Sequence, residues 1–263
     1  MPDNVVVIMT TFYANKDDIR FALALDSCRE IVRHGLRAII VDASPSEDIR
    51  SSMLQQGISE KGDHCVRVVS QTYTGKKGAA LREGIQLATE DATIDIIAFQ
   101  EPEKVCMVSQ WPEIGRKLLT KQAAICAPKR NDAAFRESYP IEQYHSEQFA
   151  NLYLNGLAEK VGFPKIDWTI GPIAFQSSWA HCWTKLYEGD LWDMQLVPMI
   201  YAQRWLGAKV IVHDFNFMLS RDMKEEEEGV AKWSEKRLFQ LNFLFETVGK
   251  ALKEKSNPLQ IRK

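Results

Sequence analysis

The chain is 263 residues long and 45% hydrophobic, and it carries 33 basic against 35 acidic side chains for a formal net charge of −2. That length and apolar content suit one large domain, or one domain with a modest appendage, and exclude a chiefly disordered chain. The near-balanced charge sets up no global field toward nucleic acid, and no stretch has the apolar length to span a bilayer, so neither a nucleic-acid partner nor an integral membrane segment is expected.

Val5-Val6-Val7-Ile8-Met9-Thr10-Thr11 follows Met1-Pro2-Asp3-Asn4 directly and lacks the basic lead-in of a signal peptide. A continuous apolar run of this length reads as a strand buried on both faces. Asp17 and Asp18 open an amphipathic stretch to His34, which Gly35 stops, and Arg37 to Asp42 is a second buried strand. Helix follows from Ile49 to Gln56, then a strand over Val66 to Ser70. The glycine-containing turn Thr74-Gly75-Lys76-Lys77-Gly78 then leads into a helix through Ala88. Ile94 to Gln100 is the fourth strand of this alternating series, which predicts an α/β fold with a mostly parallel sheet flanked by helices.

Beyond it, Trp111 to Lys121 reads as helix, Ala123 to Pro128 as strand and Tyr139 to Val161 as a long helix. Asp167 to Phe175 reads as a strand interrupted by the Gly171-Pro172 turn. Trp192 to Leu206 is a helix containing Pro198, Lys209 to Asp214 a last strand, and Trp233 to Leu252 a final helix. Residues 1–218 are expected to form the main domain, with 219–263 an acidic loop and helix packed on it. The five cysteines are dispersed, without metal-site spacing, which fits buried thiols in a reducing, cytoplasmic setting.

Chemistry-bearing residues collect at strand ends, where open α/β sheets bind ligands. The fourth strand runs into Glu101-Pro102-Glu103-Lys104, two carboxylates one residue apart, which suit either a divalent cation or an ordinary charged turn. Lys76, Lys77 and Arg82 put positive charge at a helix N-terminus, which favours anions. Asp42 is placed to meet a base or ribose, or to cap a turn. Asp190 and Asp193, at a helix start, are caps or a general base, and His213 is a packing residue or a metal ligand. The P-loop spacing, GxGxxG, GxSxG and HExxH are absent.

The order of these segments resembles the GT-A (Rossmann-like) glycosyltransferases, especially family-2-like and dolichyl-phosphate-sugar-synthase-like members. Val5 to Tyr13 is similar to their first strand and donor loop. Ile39-Ile40-Val41-Asp42-Ala43-Ser44 is similar to the strand whose Asp meets the base. Gly75-Lys76-Lys77-Gly78-Ala79-Ala80-Leu81-Arg82-Glu83-Gly84 resembles their Gly-Lys-Gly-x-Ala-Leu-Arg-x-Gly stretch, and Asp167 to Pro172 more loosely their acceptor-side segment. Glu101-Pro102-Glu103 falls where the family carries Asp-x-Asp, a departure that lengthens both side chains around a proline.

The resemblance implies transfer of a sugar from a UDP- or GDP-sugar donor to a small-molecule or glycan acceptor hydroxyl. It implies Mn²⁺ or Mg²⁺ on Glu101, Glu103 and His213, and donor contacts from Thr10, Thr11, Tyr13, Asp42, Lys77, Arg82, Glu101 and Gly171. Asp193 or Asp190 would be the base of an inverting enzyme. Met218 to Gly229 is a candidate lid, and the aromatic C-terminal helix packs on the core or pairs a homodimer. Two other readings stay open: a metal-independent or non-catalytic nucleotide-sugar-binding protein of the same fold, and, less favoured, a sugar-nucleotide pyrophosphorylase.

Overall fold

The first half of the chain folds as alternating strand and helix: β1 (Val5–Thr11), α1 (Ile19–Arg33), β2 (Arg37–Asp42), α2 (Glu47–Gln56), β3 (Val66–Ser70), α3 (Lys77–Thr89) and β4 (Ile96–Phe99). A 3₁₀ segment, Val105–Gln110, leads into α4 (Trp111–Thr120), followed by β5 (Ile125–Arg130), α5 (Asp132–Ser138) and α6 (Ile141–Glu159). Then come β6 (Ile173–Gln176), the short α7 (His181–Thr184), α8 (Asp193–Leu206), β7 (Val210–Phe215), α9 (Arg221–Glu227) and α10 (Ala231–Lys253). This computed structural model describes residues 4–73 and 75–258. Met1-Pro2-Asp3, Thr74 of the glycine-containing turn and the last five residues of the expected 219–263 segment lie outside them.

The strands form one sheet in the order β3-β2-β1-β4-β6-β5-β7. β1 pairs in parallel with β2 and β4, β2 with β3, and β5 with β7, while β6 runs antiparallel between β4 and β5. The apolar runs read as buried strands are buried because both faces are covered. Along β1, Val6 and Ile8 enter one hydrophobic cluster and Val5, Val7 and Met9 the other. Each such side chain taken out of water stabilises by roughly 1.5–3 kcal/mol. One face is covered by α3, α6, α8 and α10, the other by α1, α2 and α4.

Three differences from the sequence reading have physical causes. Only Ile173–Gln176 of the expected strand 167–175 is extended in the sheet; the residues before it belong to a hydrogen-bonded loop on Asn151 and Asn155 of α6. The seven-residue α5 is started by Asn131, whose side chain accepts from the Ala133 and Ala134 amides. The acidic run after Arg221 is helical, because Ser220 caps it through the Met223 amide.

Candidate functional site

A cleft of about 620 Å³ opens where β1 and β4 end, and its walls include Thr10, Thr11, Phe12 and Tyr13 from the first strand and its loop. The start of α3 supplies Gly75, Lys76 and Lys77, the turn after β4 supplies Glu101 to Lys104, and α10 supplies Trp233, Lys236, Arg237 and Gln240. A cleft at the carboxyl ends of parallel strands is the standard ligand position of an open α/β sheet.

The turn after β4 is built to aim its two acids apart. The Lys104 amide donates to the Glu101 carbonyl at 3.0 Å, closing a β-turn with Pro102 at the position where a fixed φ helps and no amide is needed. Pro102 is buried, and its carbonyl accepts from Ser27 Oγ at 2.6 Å. Behind it, Gln100 is fully buried: its side-chain carbonyl takes the Trp111 indole at 2.6 Å and its amide reaches the Lys104 carbonyl.

Glu101 faces two ammonium groups. Lys77 Nζ donates to Oε1 at 2.8 Å and Lys104 Nζ to Oε2 at 2.9 Å, with Gln195 Nε2 3.5 Å from Oε1. Burial alone would raise its pKa, but the Lys104 and Lys77 charges hold the carboxyl well below the usual carboxylate range. Glu103 is different. Half-buried on the cleft wall, it makes no ion pair or hydrogen bond among the described residues. Burial first and the Glu103 charge second raise the pKa of nearby Tyr13.

Lys77 stands at the first position of α3, beside amides that α3 leaves without helical partners. The helix start is seated by the Gly78 amide on the Asp190 carbonyl at 2.7 Å. A Cβ at Gly78 would fall 2.5 Å from the Gly189 carbonyl oxygen, so only glycine lets these two backbones meet.

On the far side, Arg130 is buried at the end of β5 and bonds Asp167 at 2.7 and 2.9 Å, Glu147 at 2.8 Å and Thr169 at 2.8 Å. Glu147 also pairs with Arg237 at 3.0 Å, and Glu227 pairs with Arg20 at 2.6 Å. Lys236 makes no ion pair among the described residues and lies over Trp233. Burial, then the Arg20 charge, lowers its pKa.

No family model and no curated protein matches the chain. Solved structures do. Glucosyl-3-phosphoglycerate synthase from Mycobacterium tuberculosis in complex with Mn²⁺, UDP-glucose and phosphoglyceric acid superposes with a TM-score of 0.61 at 14% identity, over 94% of this chain and 80% of that one. The same enzyme with Mn²⁺, UDP and phosphoglyceric acid gives a TM-score of 0.57 at 16% identity, over 94% and 79%. The fold is GT-A. At these identities the likeness establishes the architecture, and the site must be judged on its own residues.

The GT-A cleft brings together Thr10, Thr11, Tyr13, Lys77, Glu101, Glu103 and Gly171 of the expected set. It leaves the others outside. Asp42 is buried at the end of β2, its carboxylate accepting from Thr11 Oγ1 at 2.7 Å, Ser44 Oγ at 2.6 Å and Arg50 at 3.2 Å, bonds that brace the first-strand wall. Arg82 donates to the Gly189 carbonyl at 2.9 Å and braces that loop. Asp193 accepts from Tyr187 Oη at 2.6 Å and from the Leu191 amide at 3.0 Å, a cap of α8, and Asp190 pairs with Lys76 at 2.7 Å. Neither aspartate is among the residues lining the cleft.

His213 is likewise not on the cleft wall. Lys117 Nζ lies 2.8 Å from its Nδ1, and Gln110 Oε1 lies 3.4 Å from Nε2. Burial and the Lys117 charge lower its pKa, and both ring nitrogens have side-chain partners. Among the described residues, no three His, Cys, Asp or Glu side chains are grouped to hold a metal ion on protein ligands alone.

Sequence reasoning missed Arg130, Glu147, Arg237 and Arg20, which come from four separate elements and share no motif. It also missed the reason for Gly171. That residue has φ +92°, and a Cβ there would lie 2.5 Å from Glu101 Oε1. Gly171→Ala is expected to destabilise the protein by about 1–3 kcal/mol from backbone strain alone. It should also push Glu101 off its lysines, and thermal melting with and without nucleotide checks both effects.

Proposed function

We propose that this chain transfers a sugar from a nucleotide-sugar donor, a UDP- or GDP-sugar, to the hydroxyl of a small acceptor. The observation that carries this reading is the cleft at the ends of β1 and β4, whose wall holds a helix N-terminus, Lys77 and Glu103. Donor-binding crystal structures of the same fold, holding UDP-glucose and Mn²⁺, support it. Thr10, Thr11 and Tyr13 form the nucleotide wall, and the α3 N-terminus with Lys77 faces the diphosphate.

Of the expected metal ligands, Glu103 alone is free to serve. A divalent ion of the Mn²⁺ or Mg²⁺ type commonly takes one or two carboxylates together with substrate phosphates, so one free carboxylate in the cleft fits such an ion. When bound, it would supply positive charge against the leaving diphosphate. The remaining work falls to side chains: Tyr13 excludes water at the nucleotide wall, and Lys77 balances charge on the phosphates. Of the carboxylates lining the cleft, Glu101, Glu147 and Glu227 are ion-paired, so a side-chain base for the acceptor could come only from Glu103. This arrangement favours a transfer in which no separate protein base takes the acceptor proton.

The acceptor side carries an unpaired lysine. Lys236, without an ion pair among the described residues, lies over Trp233 beside Arg20 at the α9–α10 wall, which favours an acceptor carrying a carboxylate or phosphate. Residues 1–218 would form the transferase unit, with α9 and α10 closing its acceptor side. Thermal stabilisation by a panel of nucleotide-sugars, followed by detection of the glycosylated product with phosphorylated and unphosphorylated hydroxy acids, tests the reading. Absence of both stabilisation and transfer with every UDP- and GDP-sugar would overturn it.

A further inference from the structure

The acid at position 101 is occupied in a way that changes what the site can do. Both of its oxygens are taken by ammonium groups, Oε1 by Lys77 and Oε2 by Lys104. The same carboxylate occupies the space that a side chain at Gly171 would need, since a Cβ there would lie 2.5 Å from Oε1. The two lysines come from different elements, α3 and the turn after β4, so Glu101 is what fixes their separation. Lys104 is further held at its backbone, where its amide closes the β-turn and its carbonyl accepts from Gln100. Within the trio of Lys77, Lys104 and Glu101 the lysines leave one positive charge over, next to the α3 N-terminus, with the Glu103 carboxylate on the same wall.

A cation on either oxygen of Glu101 would stand beside an ammonium group, like charge against like charge. Diphosphate oxygens meet no such obstacle, since each lysine has three donors and spends one on Glu101. We propose that Lys77 and Lys104, positioned by Glu101, themselves form the diphosphate cradle, so that nucleoside diphosphates bind this protein without a divalent ion. A metal met by Glu103 then adds to a site that already exists. Glu101 is a positioning residue, and Lys77 and Lys104 are the binding residues. This inference rests on the nucleotide-sugar reading above.

The test is titration calorimetry of the full chain with UDP and GDP, in EDTA and in Mn²⁺, with uridine and guanosine as controls. One of the diphosphates is expected to bind in EDTA with a Kd within about tenfold of its value in Mn²⁺. Lys104→Met should weaken that metal-free binding by about 10- to 100-fold, the range of one charge-assisted hydrogen bond, and leave nucleoside binding unchanged. Glu101→Gln should weaken metal-free binding while the improvement given by Mn²⁺ persists, because the metal does not sit on this carboxylate. Binding seen only in Mn²⁺, or a Glu101→Gln variant that binds normally in EDTA but no longer responds to Mn²⁺, would overturn the cradle and leave the transferase reading standing. Absence of UDP and GDP binding in both buffers would overturn both. Should Glu101→Gln melt below the assay temperature, unchanged metal-free binding by Lys104→Met would still refute the proposal.

Discussion

Glu103→Gln is expected to lower sugar transfer in Mn²⁺ by about 100-fold or more, the scale on which removal of one transition-state electrostatic contact acts. The substitution keeps the shape of the side chain and removes only its charge. It should fold normally, because Glu103 is half-buried and holds no ion pair among the described residues. Glu103 is also the one cleft carboxylate that can either meet a metal or accept a proton, since Glu101, Glu147 and Glu227 are each tied to lysine or arginine. Steady-state release of nucleoside diphosphate separates the effects: a fall in kcat with KM for donor little changed marks a group acting on the leaving diphosphate or the acceptor proton. Transfer undiminished in Glu103→Gln would remove this carboxylate from the chemistry.

The contrast between Glu101 and Glu103 also shows how much of the site could be read from sequence. Two acids one residue apart looked like a pair. In the folded chain the proline between them sits in a β-turn, and on the cleft wall Glu101 meets Lys77 and Lys104 while Glu103 holds no ion pair among the described residues. Lys104 was adjacent and could be suspected; Lys77 lies 24 residues earlier, and its contact depends on how α3 is seated by Gly78 against the Asp190 carbonyl. The parallel half of the sheet was legible because strands covered on both faces must be apolar throughout. The antiparallel insertion of β6 left no such trace, since direction within a sheet is set by tertiary packing. His213 and Asp42 show the same limit. Acids and histidines at strand ends sit near ligand sites by topology, but Lys117 on α4 and Arg50 on α2 reach them first.

Arg130→Met is expected to cost about 3–5 kcal/mol of stability, the range for stranding one partner of a buried ion pair. The guanidinium is buried and stacked 3.6 Å over Phe135 while bonding Asp167, Glu147 and Thr169. Removing it leaves Asp167 with only neutral donors from Asn151 and Thr169, and leaves Glu147 with Arg237 and the Gln143 amide. Burial would raise the Asp167 pKa, but the Arg130 charge brings it to about 2. A depressed carboxylate contributes stability that is fully present above its unfolded pKa of about 3.9 and is lost as pH falls toward the folded value. Wild type should therefore lose stability between about pH 4 and pH 2, and Arg130→Met should lose less over that interval because the pair is already gone. Pairing Arg130→Met with Asp167→Leu should recover part of the loss, since the cost lies in a stranded buried charge. Urea denaturation of the two single variants and the double variant, at pH 7 and at pH 3.5, measures each term. A double variant as unstable as the sum of the singles would show that the two residues act independently and that the arginine matters for its packing on Phe135.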